Sequence, residues 1–346
     1  MLRRALSTTS KLRCVLLNAA RVDFDGRINF EKLSAVADIS RHEISAPSEV
    51  AARCEGHDIV MNKEMPLPGD LIRTFPPSVK LICEMGTGYN NIDLAAAKEM
   101  GIGVVNVPTY ATEAMAHIAV TMVMALSCSL VPQARALASG DRTYMTQCHL
   151  GALTHMELTG KTIGLVGGLG TIGLRVAAMA SALGMRVVAS SRSAPPGIRD
   201  DGVEVVSLDT LYATSDFVSI HCPLNAQTKG LIDAGAIAKM KPSAFIVNTA
   251  RGGIIDQDAL VAALREKRIA GAALDVFGEG SAPPPPLPAD SPLYDLDNVI
   301  LTPHIGWQRL ESRQRVVDMC ASNVEAFANG EPGNIDMETG APRARA

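Results

Sequence analysis

Three residues that could hold an anion or move a proton follow apolar runs in the second half of the chain: Arg251, Glu279 and His304. The planar guanidinium of an arginine matches a carboxylate, and a histidine can donate a proton near neutral pH. A carboxylate close to the histidine would favour its charged form. The set therefore suits reduction of a 2-keto acid, with the arginine holding the carboxylate and the histidine protonating the carbonyl oxygen. Any one of them alone would be interpreted as a surface ion pair or a helix cap.

A glycine-rich turn supplies the expected site for the hydride donor. An apolar run with β-branched residues, 162–166, leads into Gly168, Gly170 and Gly173, and an Ala-rich helical pattern follows. Glycines allow a tight turn and let backbone N–H groups approach a pyrophosphate at the positive end of the helix dipole. Because a strand precedes this turn and a helix follows it, we predict dinucleotide binding rather than a purely structural turn. The expected contacts are Gly168, Gly170, Thr171, Ile172 and Gly173.

The elements that must position these residues are short apolar runs that alternate with helical patterns. This alternation predicts βαβ units and parallel sheets, whose ligands bind beyond the carboxyl ends of the strands. The predicted strands are residues 14–18, 58–63, 80–86, 103–107, 162–166, 186–191, 217–222, 244–250, 270–276 and 299–303. The candidates for function that follow them are Ser191 and Arg192, residues 221–223, residues 251–253, residues 275–280 and His304.

The order of these elements predicts two domains. The strands from residue 162 onward suit a doubly wound dinucleotide domain, and an amphipathic pattern at residues 310–327 predicts a helix that returns to the first domain. The predicted fold class is α/β, with two Rossmann-like domains, doubly wound parallel sheets, and the cofactor domain inserted in the substrate domain. The predicted boundaries are 14–108 and 304–332 for the substrate domain, 109–303 for the NAD(P)-binding domain, and 333–346 for a disordered tail.

Two further segments carry polar residues in an apolar setting. Residues 112–126 predict a helix that is apolar nearly all round and therefore buried, and its His117 is interpreted as a core residue rather than a ligand. The turn at residues 86–91 could offer backbone N–H groups to an anion, although alone it is interpreted as an ordinary loop.

Composition restricts the class of protein. The chain has 346 residues, a net charge of −4 and no long basic run, which argues against nucleic-acid binding. No apolar run reaches the roughly 18 residues of a membrane span. Seven scattered cysteines without a C-x-x-C pair argue against disulfides and a metal site. Residues 1–13 are basic and contain no acidic residue, which predicts a mitochondrial presequence; otherwise they form a frayed terminus of a cytoplasmic protein.

Longer motifs identify a resemblance. The stretches TGYNNIDLAAAKEMGIGVVNVP, KTIGLVGGLGTIG, HCPLNAQTKGLI, MKPSAFIVNTARGGIIDQDAL and GAALDVFGEG resemble the D-isomer-specific 2-hydroxyacid dehydrogenases, and the match extends over nearly the whole chain. The segments VMNK and TGYNNID look most like glycerate dehydrogenases, also called hydroxypyruvate or glyoxylate reductases. The resemblance implies a homodimer that reduces a small 2-keto acid to the D-2-hydroxy acid.

The resemblance also implies roles for single residues. Arg251 would bind the substrate, His304 would be the acid/base, and Thr87 and Gly88 would hold the substrate carboxylate through their amides. Further cofactor contacts are implied for Pro223, Thr228, Thr249 and Asp275. The alternative class is a catalytically weak, nucleotide-sensing protein like the corepressors related to this family.

The chain departs from the family pattern at three places. Gly167 adds one residue before the glycine turn, and His117 is followed by isoleucine where the family often has a glutamate followed by a histidine. The catalytic glutamate normally precedes a proline, but here the segment is stretched to GEGSAPPPPLP. Glu279 is the carboxylate available, one position early, and we interpret it as the catalytic one.

The cofactor is expected to be NADP, with NAD possible. Ser191 stands where NAD-binding members of this fold place an acidic residue for the ribose 2′-hydroxyl. Without that carboxylate, a 2′-phosphate is not repelled, and Arg192 can bind it. The alternative is that Arg192 is merely solvated.

Overall fold

The computed structural model describes residues 11–148, 153, 155–278, 287–331 and 333–341. The strands, in chain order, are β1 (Leu12–Leu16), β2 (Ala37–Arg41), β3 (Ile59–Asn62), β4 (Leu81–Glu84), β5 (Gly103–Val105), β6 (Thr162–Val166), β7 (Arg186–Ser190), β8 (Gly197–Ile198), β9 (Glu204–Val205), β10 (Phe217–Ile220), β11 (Phe245–Asn248), β12 (Gly271–Leu274) and β13 (Val299–Leu301).

The helices occupy most of the connections between these strands. They are α1 (Glu31–Val36), α2 (Pro47–Cys54), α3 (Gly69–Ile72), α4 (Leu94–Glu99), α5 (Thr112–Ser127), α6 (Leu130–Ala138), α7 (Tyr144–Gln147), α8 (Thr171–Ala182), α9 (Leu208–Thr214), α10 (Ala234–Ala238), α11 (Gln257–Arg265) and α12 (Leu310–Ala328). Short 3-10 helices span Ala19–Arg21, Gly252–Ile254 and Pro292–Asp295.

The chain forms two compact units. Unit 1 contains the described residues up to Ala111 and those from Gln308 onward, and unit 2 contains the described residues from Thr112 to Trp307. The second unit is therefore an insertion in the first, as the sequence predicts. Its limits, Thr112 and Trp307, fall a few residues after the predicted positions 109 and 303. Tyr110 and Ala111 therefore belong to the first unit, and His304 belongs to the second.

Unit 1 is built on a parallel sheet of five strands in the order β2-β1-β3-β4-β5. Its central strands β3 and β4 are buried along their whole length, which explains why they read as apolar runs. The sequence does not predict β2. This edge strand has the sequence ADISR and is largely exposed, so no apolar run marks it.

Unit 2 is built on a sheet of eight strands in the order β13-β12-β11-β10-β6-β7-β9-β8, in which β8 alone is antiparallel to its neighbour. Its core contains apolar side chains from neighbouring strands, such as Val166, Val218 and Ile246. The fold class and the insertion are thus confirmed. The two-residue strands β8 and β9 are too short to carry a pattern and were not predicted.

Both chain ends differ from the predictions. Leu12 and Arg13 pair with Ala37 and Asp38 in the sheet, so the predicted presequence 1–13 overlaps β1; residues 1–10 lie outside the described part. The predicted disordered tail is ordered over residues 333–341, since Ile335 is buried in the core of unit 1. Met337 packs against the same core, and the side chain of Asn334 donates to the carbonyl of Asn106 at 2.9 Å. These contacts are made with residues far away in the chain, so no periodicity reveals the segment.

Helix α5 follows the predicted span, but its His117 is exposed and lies 3.7 Å from Glu113, which corrects the interpretation as a core residue. Within the described residues no single helix is long and apolar enough to cross a membrane. Only the pair α5 and α6, bent by 64°, has that length and composition.

Candidate functional site

The glycine turn joins β6 to α8, and packing explains two of its three glycines. A Cβ atom on Gly168 would lie 2.4 Å from Cβ of Leu165, and one on Gly173 would lie 2.4 Å from the carbonyl oxygen of Gly168. Both distances are too short for any side chain. A Cβ on Gly170 would meet only the oxygen of Gly167, at 3.9 Å, so the outer side of the turn is open.

The amino end of α8 is suited to an anion. Gly170 is its N-cap residue, and no side chain of the described residues caps it. The N–H groups of Thr171, Ile172 and Gly173 lie in the first turn of the helix, where they have no acceptor within it. Gly170 and Thr171 are exposed. These features fit the pyrophosphate of a dinucleotide, because donors, a helix dipole and open space occur together.

The additional glycine lies before this arrangement and does not disturb it. Gly167 has φ +74°, a conformation that favours glycine, and its missing side chain would lie 2.7 Å from Cβ of Cys222. Its N–H donates to Oγ of Ser190 at 3.4 Å. The spacing of Gly168, Gly170 and Gly173 is therefore kept.

The residues after β7 form a polar turn that carries one cation. The Ser191 hydroxyl accepts from the N–H groups of Ser193 at 3.3 Å and Ala194 at 3.2 Å. The exposed Arg192 donates from its guanidinium to the side-chain oxygen of Gln227. The predicted 2′-phosphate residues are therefore adjacent and accessible at the end of this strand.

Two predicted cofactor residues after β10 organise their own loop. The Thr228 hydroxyl donates to the carbonyl of Pro223 at 2.6 Å and accepts from the N–H of Asn225 at 2.8 Å. Thr228 and Thr249 are both buried, and the cofactor contacts of both stay predictions.

Arg251 follows β11 in an extended conformation, with φ −148°. Its carbonyl accepts from the side-chain amide of Asn248 at 2.9 Å, and its guanidinium donates to the carbonyl of Ala250 at 2.8 Å. The next residue must be glycine, since a Cβ on Gly252 would lie 2.4 Å from the carbonyl oxygen of Gly278. The backbone around Arg251 is thus fixed on both sides.

His304 follows β13 and has φ +56°, a left-handed conformation that is rare for residues other than glycine. Its N–H donates to the carbonyl of Asp275 at 3.0 Å. The histidine is 9% exposed, so it is largely buried and has little freedom. A strained residue that the surrounding structure holds in place is typical of functional positions.

Asp275 holds the His304 loop. Its carboxylate accepts from the Thr302 hydroxyl at 2.6 Å and from the N–H groups of Ile305 at 2.9 Å and Gly306 at 3.0 Å. Burial raises the pKa of Asp275 above its ordinary value, while these donors and His304 oppose the rise. The side chain is completely buried, and in this structure it positions the loop; the cofactor contact of Asp275 stays a prediction.

Strand register places Arg251 and His304 at one edge of the sheet. Asn248, Leu274 and Leu301 are paired in a single row across β11, β12 and β13. Arg251 and His304 follow this row at the same distance along their chains, one on each side of β12. Neighbouring parallel strands are ~4.8 Å apart, so β11 and β13, with β12 between them, are roughly 10 Å apart. The two positions therefore suit opposite sides of a small molecule. The third candidate, Glu279, lies outside the described residues.

In unit 1, the predicted carboxylate turn follows β4. The Thr87 hydroxyl donates to the carbonyls of Val107 and Pro108, and the carbonyl of Thr87 accepts from Asn106 at 2.7 Å. No hydrogen bond with the described residues uses the N–H of Thr87 or Gly88, and Thr87 is exposed. Two amides therefore remain available for an anion.

Sequence reasoning missed a charged cluster beneath this turn. Lys63 and Glu84 are fully buried at the ends of β3 and β4. The available signal was the occurrence of charged residues directly after apolar runs, in VMNK and LICE.

Comparison with known proteins matches both units. The model of the D-isomer specific 2-hydroxyacid dehydrogenase NAD-binding domain matches residues 120–306. A hydroxypyruvate reductase of Blautia hydrogenotrophica is 33% identical over 319 residues, 92% of this chain and 96% of the relative. A glycerate dehydrogenase of Methylorubrum extorquens is 36% identical over 289 residues, covering 84% and 88% respectively.

A solved structure is similar over the same range. It is the NADPH-dependent glyoxylate/hydroxypyruvate reductase of Sinorhizobium meliloti in complex with NADP and malonate. The TM-score is 0.78 at 26% identity, and the match covers 97% of this chain and 100% of that one.

Proposed function

The chain belongs to the D-isomer-specific 2-hydroxyacid dehydrogenases, and we propose that it reduces hydroxypyruvate or glyoxylate to the D-2-hydroxy acid. The proposal rests on one observation. Arg251 and His304 each follow, by three residues, a row of paired residues across β11, β12 and β13, and Asp275 holds the loop of His304. The relatives named hydroxypyruvate reductase and glycerate dehydrogenase support this class of substrate.

Each residue has one task in this proposal. The nicotinamide, when bound, supplies the hydride. Arg251 binds the substrate carboxylate and polarises the carbonyl, and the amides of Thr87 and Gly88 bind carboxylate oxygens. His304 donates a proton to the carbonyl oxygen. Glu279 favours the protonated form of His304, so that the donor is charged when reduction begins.

The test is a turnover assay with hydroxypyruvate, glyoxylate and pyruvate against both reduced cofactors. We expect His304→Ala to lose ~10²–10⁴-fold in kcat, because it lacks the proton donor. We expect Arg251→Ala mainly to weaken substrate binding. His57→Ala is the matched control, since His57 precedes β3 and lies at the amino ends of the strands in unit 1. Full activity of His304→Ala would contradict the mechanism.

We further propose that NADPH is preferred to NADH. Ser191 leaves the end of β7 without a carboxylate, and the exposed Arg192 offers a guanidinium to a 2′-phosphate. The similar reductase of Sinorhizobium meliloti, described as NADPH-dependent, supports this choice. Replacing Ser191 by Asp and Arg192 by Ser should reverse the ratio of kcat/KM values. Equal kcat/KM values for NADPH and NADH in the unchanged protein would refute the preference.

We infer a homodimer from exposed apolar side chains on α5, α6 and α7. Met124, Leu130, Leu137, Tyr144 and Met145 are between 41% and 69% exposed, and a partner of the same kind would bury them. Light scattering coupled to gel filtration tests this inference.

The proposal of a mitochondrial location rests on the basic residues at the amino end, and imaging of the tagged full chain in cells tests it.

A further inference from the structure

Unit 1 contains a lysine with no exposed surface, directly after β3. The ammonium of Lys63 donates to the Glu64 carboxylate at 2.8 Å and to the Tyr110 hydroxyl at 3.2 Å. Its backbone is held by Asn18, whose side chain accepts from the N–H of Lys63 at 3.0 Å and donates to its carbonyl at 2.6 Å. Both the chain and the charged group are therefore fixed.

Glu64 reaches Lys63 at a conformational cost. It has φ +62°, which is rare for a residue other than glycine. Its second carboxylate oxygen accepts from Arg21 at 2.8 Å, and its backbone N–H donates to Glu84 at 2.9 Å. The strained backbone thus places the Glu64 carboxylate between the side chains of Lys63 and Arg21.

Glu84 completes the cluster from the neighbouring strand, where it is paired with Asn62. Its carboxylate accepts from the side chains of Asn62 and Asn91, each at 2.9 Å. Burial raises the pKa of Glu84 to about 7, although Lys63 and the hydrogen bonds oppose this. Burial acts to lower the pKa of Lys63, but the carboxylates of Glu64 and Glu84 and the hydroxyl of Tyr110 raise it above its ordinary value. The lysine is therefore charged. When Glu84 is protonated, Lys63 and Arg21 carry two positive charges against the single negative charge of Glu64, so these four residues have a net charge of +1.

The charged groups lie directly against the carboxylate turn. A Cβ on Gly86 would be 3.3 Å from Nζ of Lys63 and 3.3 Å from a carboxylate oxygen of Glu84. The two residues after Gly86 are Thr87 and Gly88, whose amides are available to an anion. A glycine at this position therefore lets the turn lie over the ammonium without displacing it.

A purely structural ion pair does not account for this arrangement. Replacing a buried pair by apolar residues of similar volume is often neutral or stabilising, so burial of a lysine and two glutamates calls for another reason. In a medium of low dielectric constant, a buried charge acts over a longer distance than it does in water. Thr87 and Gly88 directly follow Gly86, which lies next to the ammonium, so the charge of Lys63 acts on their amides at short range.

We propose that Lys63 is a positioning residue that makes the Gly86–Gly88 turn selective for a carboxylate, and so determines specificity for 2-keto acids over their neutral analogues. This inference rests on the function proposed above. The buried ammonium fixes the position of the turn and contributes a positive potential to the two amides.

The test compares Lys63→Met with the wild type on glyoxylate and on its neutral amide, glyoxylamide. A unit charge acting over ~7 Å at an effective dielectric constant of ~20 corresponds to roughly a 10- to 100-fold change in affinity. We expect KM for glyoxylate to rise by that factor, with kcat and the KM for the cofactor little changed. The kcat/KM for glyoxylamide should stay the same. Lys80→Met, at an exposed lysine before β4, controls for net charge.

Several outcomes would overturn the proposal. An equal loss on the acid and the amide would indicate a structural role only, and an unchanged KM for glyoxylate would show that the charge does not reach the turn. If Lys63→Met does not fold, Lys63→Gln is measured in the same way, because its amide can still donate to Glu64 or Tyr110 but carries no charge. Failure of both to fold would assign Lys63 to folding alone.

The proposed function and this inference fail separately. If the wild type reduces no 2-keto acid with either cofactor, the proposed function is wrong. Binding of malonate to the same variants, measured by calorimetry, then tests the turn as a carboxylate site: 10- to 100-fold weaker binding to Lys63→Met would support the inference, and equal binding would overturn it.

Discussion

Substitutions of Asp275 can distinguish the placement of the His304 side chain from the proton transfer proposed for it. In Asp275→Ala, the Thr302 hydroxyl and the N–H groups of Ile305 and Gly306 lose their acceptor. A buried polar group without a partner costs ~1–3 kcal/mol, so simple addition gives roughly 3–9 kcal/mol, which water entering the cavity would reduce. Asp275→Asn keeps the volume and one carbonyl oxygen, so that about one donor, or ~1–3 kcal/mol, is lost.

The same change should affect turnover through His304. Its left-handed conformation costs on the order of 1–3 kcal/mol and persists because the loop is held on both sides. Once the loop is released, we expect His304 to move away from the carbonyl oxygen of the substrate, to which it is proposed to donate a proton. We expect kcat to fall for Asp275→Asn and further for Asp275→Ala, but by less than the ~10²–10⁴-fold loss for His304→Ala.

A double-mutant cycle with His304→Ala distinguishes the two effects. Urea unfolding measures stability, and initial rates measure kcat. In the His304→Ala background, Asp275→Ala should still destabilise the protein but should not lower kcat further, because the group that it positions is gone. Asp290→Ala, at an exposed aspartate of the same unit, is the control. An equal loss of kcat in both backgrounds would refute the positioning role.

Two other carboxylates give predictions with a defined sign. Glu279→Gln should move the basic limb of the reductive pH profile to lower pH, because the protonated imidazole of His304 loses a nearby negative charge. An unmoved limb would show that Glu279 does not raise the pKa of His304. The folded-state pKa of Glu84 is raised from 4.5 to about 7, so the stability it contributes is greatest below about pH 4.5 and is lost as the pH rises to about 7. The difference in unfolding free energy between wild type and Glu84→Gln should therefore fall by about 3 kcal/mol across this range, and a flat difference would contradict the shift.

The sequence predicts those parts of the fold that depend on residues close together in the chain. Buried parallel strands appear as apolar runs, and a glycine that packs against a backbone carbonyl, such as Gly173, cannot be replaced. The edge strand β2 has no such run, and the burial of Ile335 depends on a core formed by residues far away in the chain. These features become visible only after the long-range packing is known.

Position at the end of a strand brings the candidate residues to one end of the sheet, but it does not indicate the part that each of them plays there. Arg251, Asp275 and His304 all follow neighbouring strands, and the sequence treats them alike. The structure separates them through the path of the loop: the chain after β13 turns back at the left-handed His304, so that its amides point at Asp275. The Asp275 carboxylate accepts hydrogen bonds from this turn and has no exposed surface, whereas His304 keeps 9% of its surface exposed. In the same way, Lys63 follows β3 but is enclosed, because Glu64 adopts a positive φ and returns over it. Loop conformation after each strand therefore decides which charged group faces a ligand and which supports its neighbour.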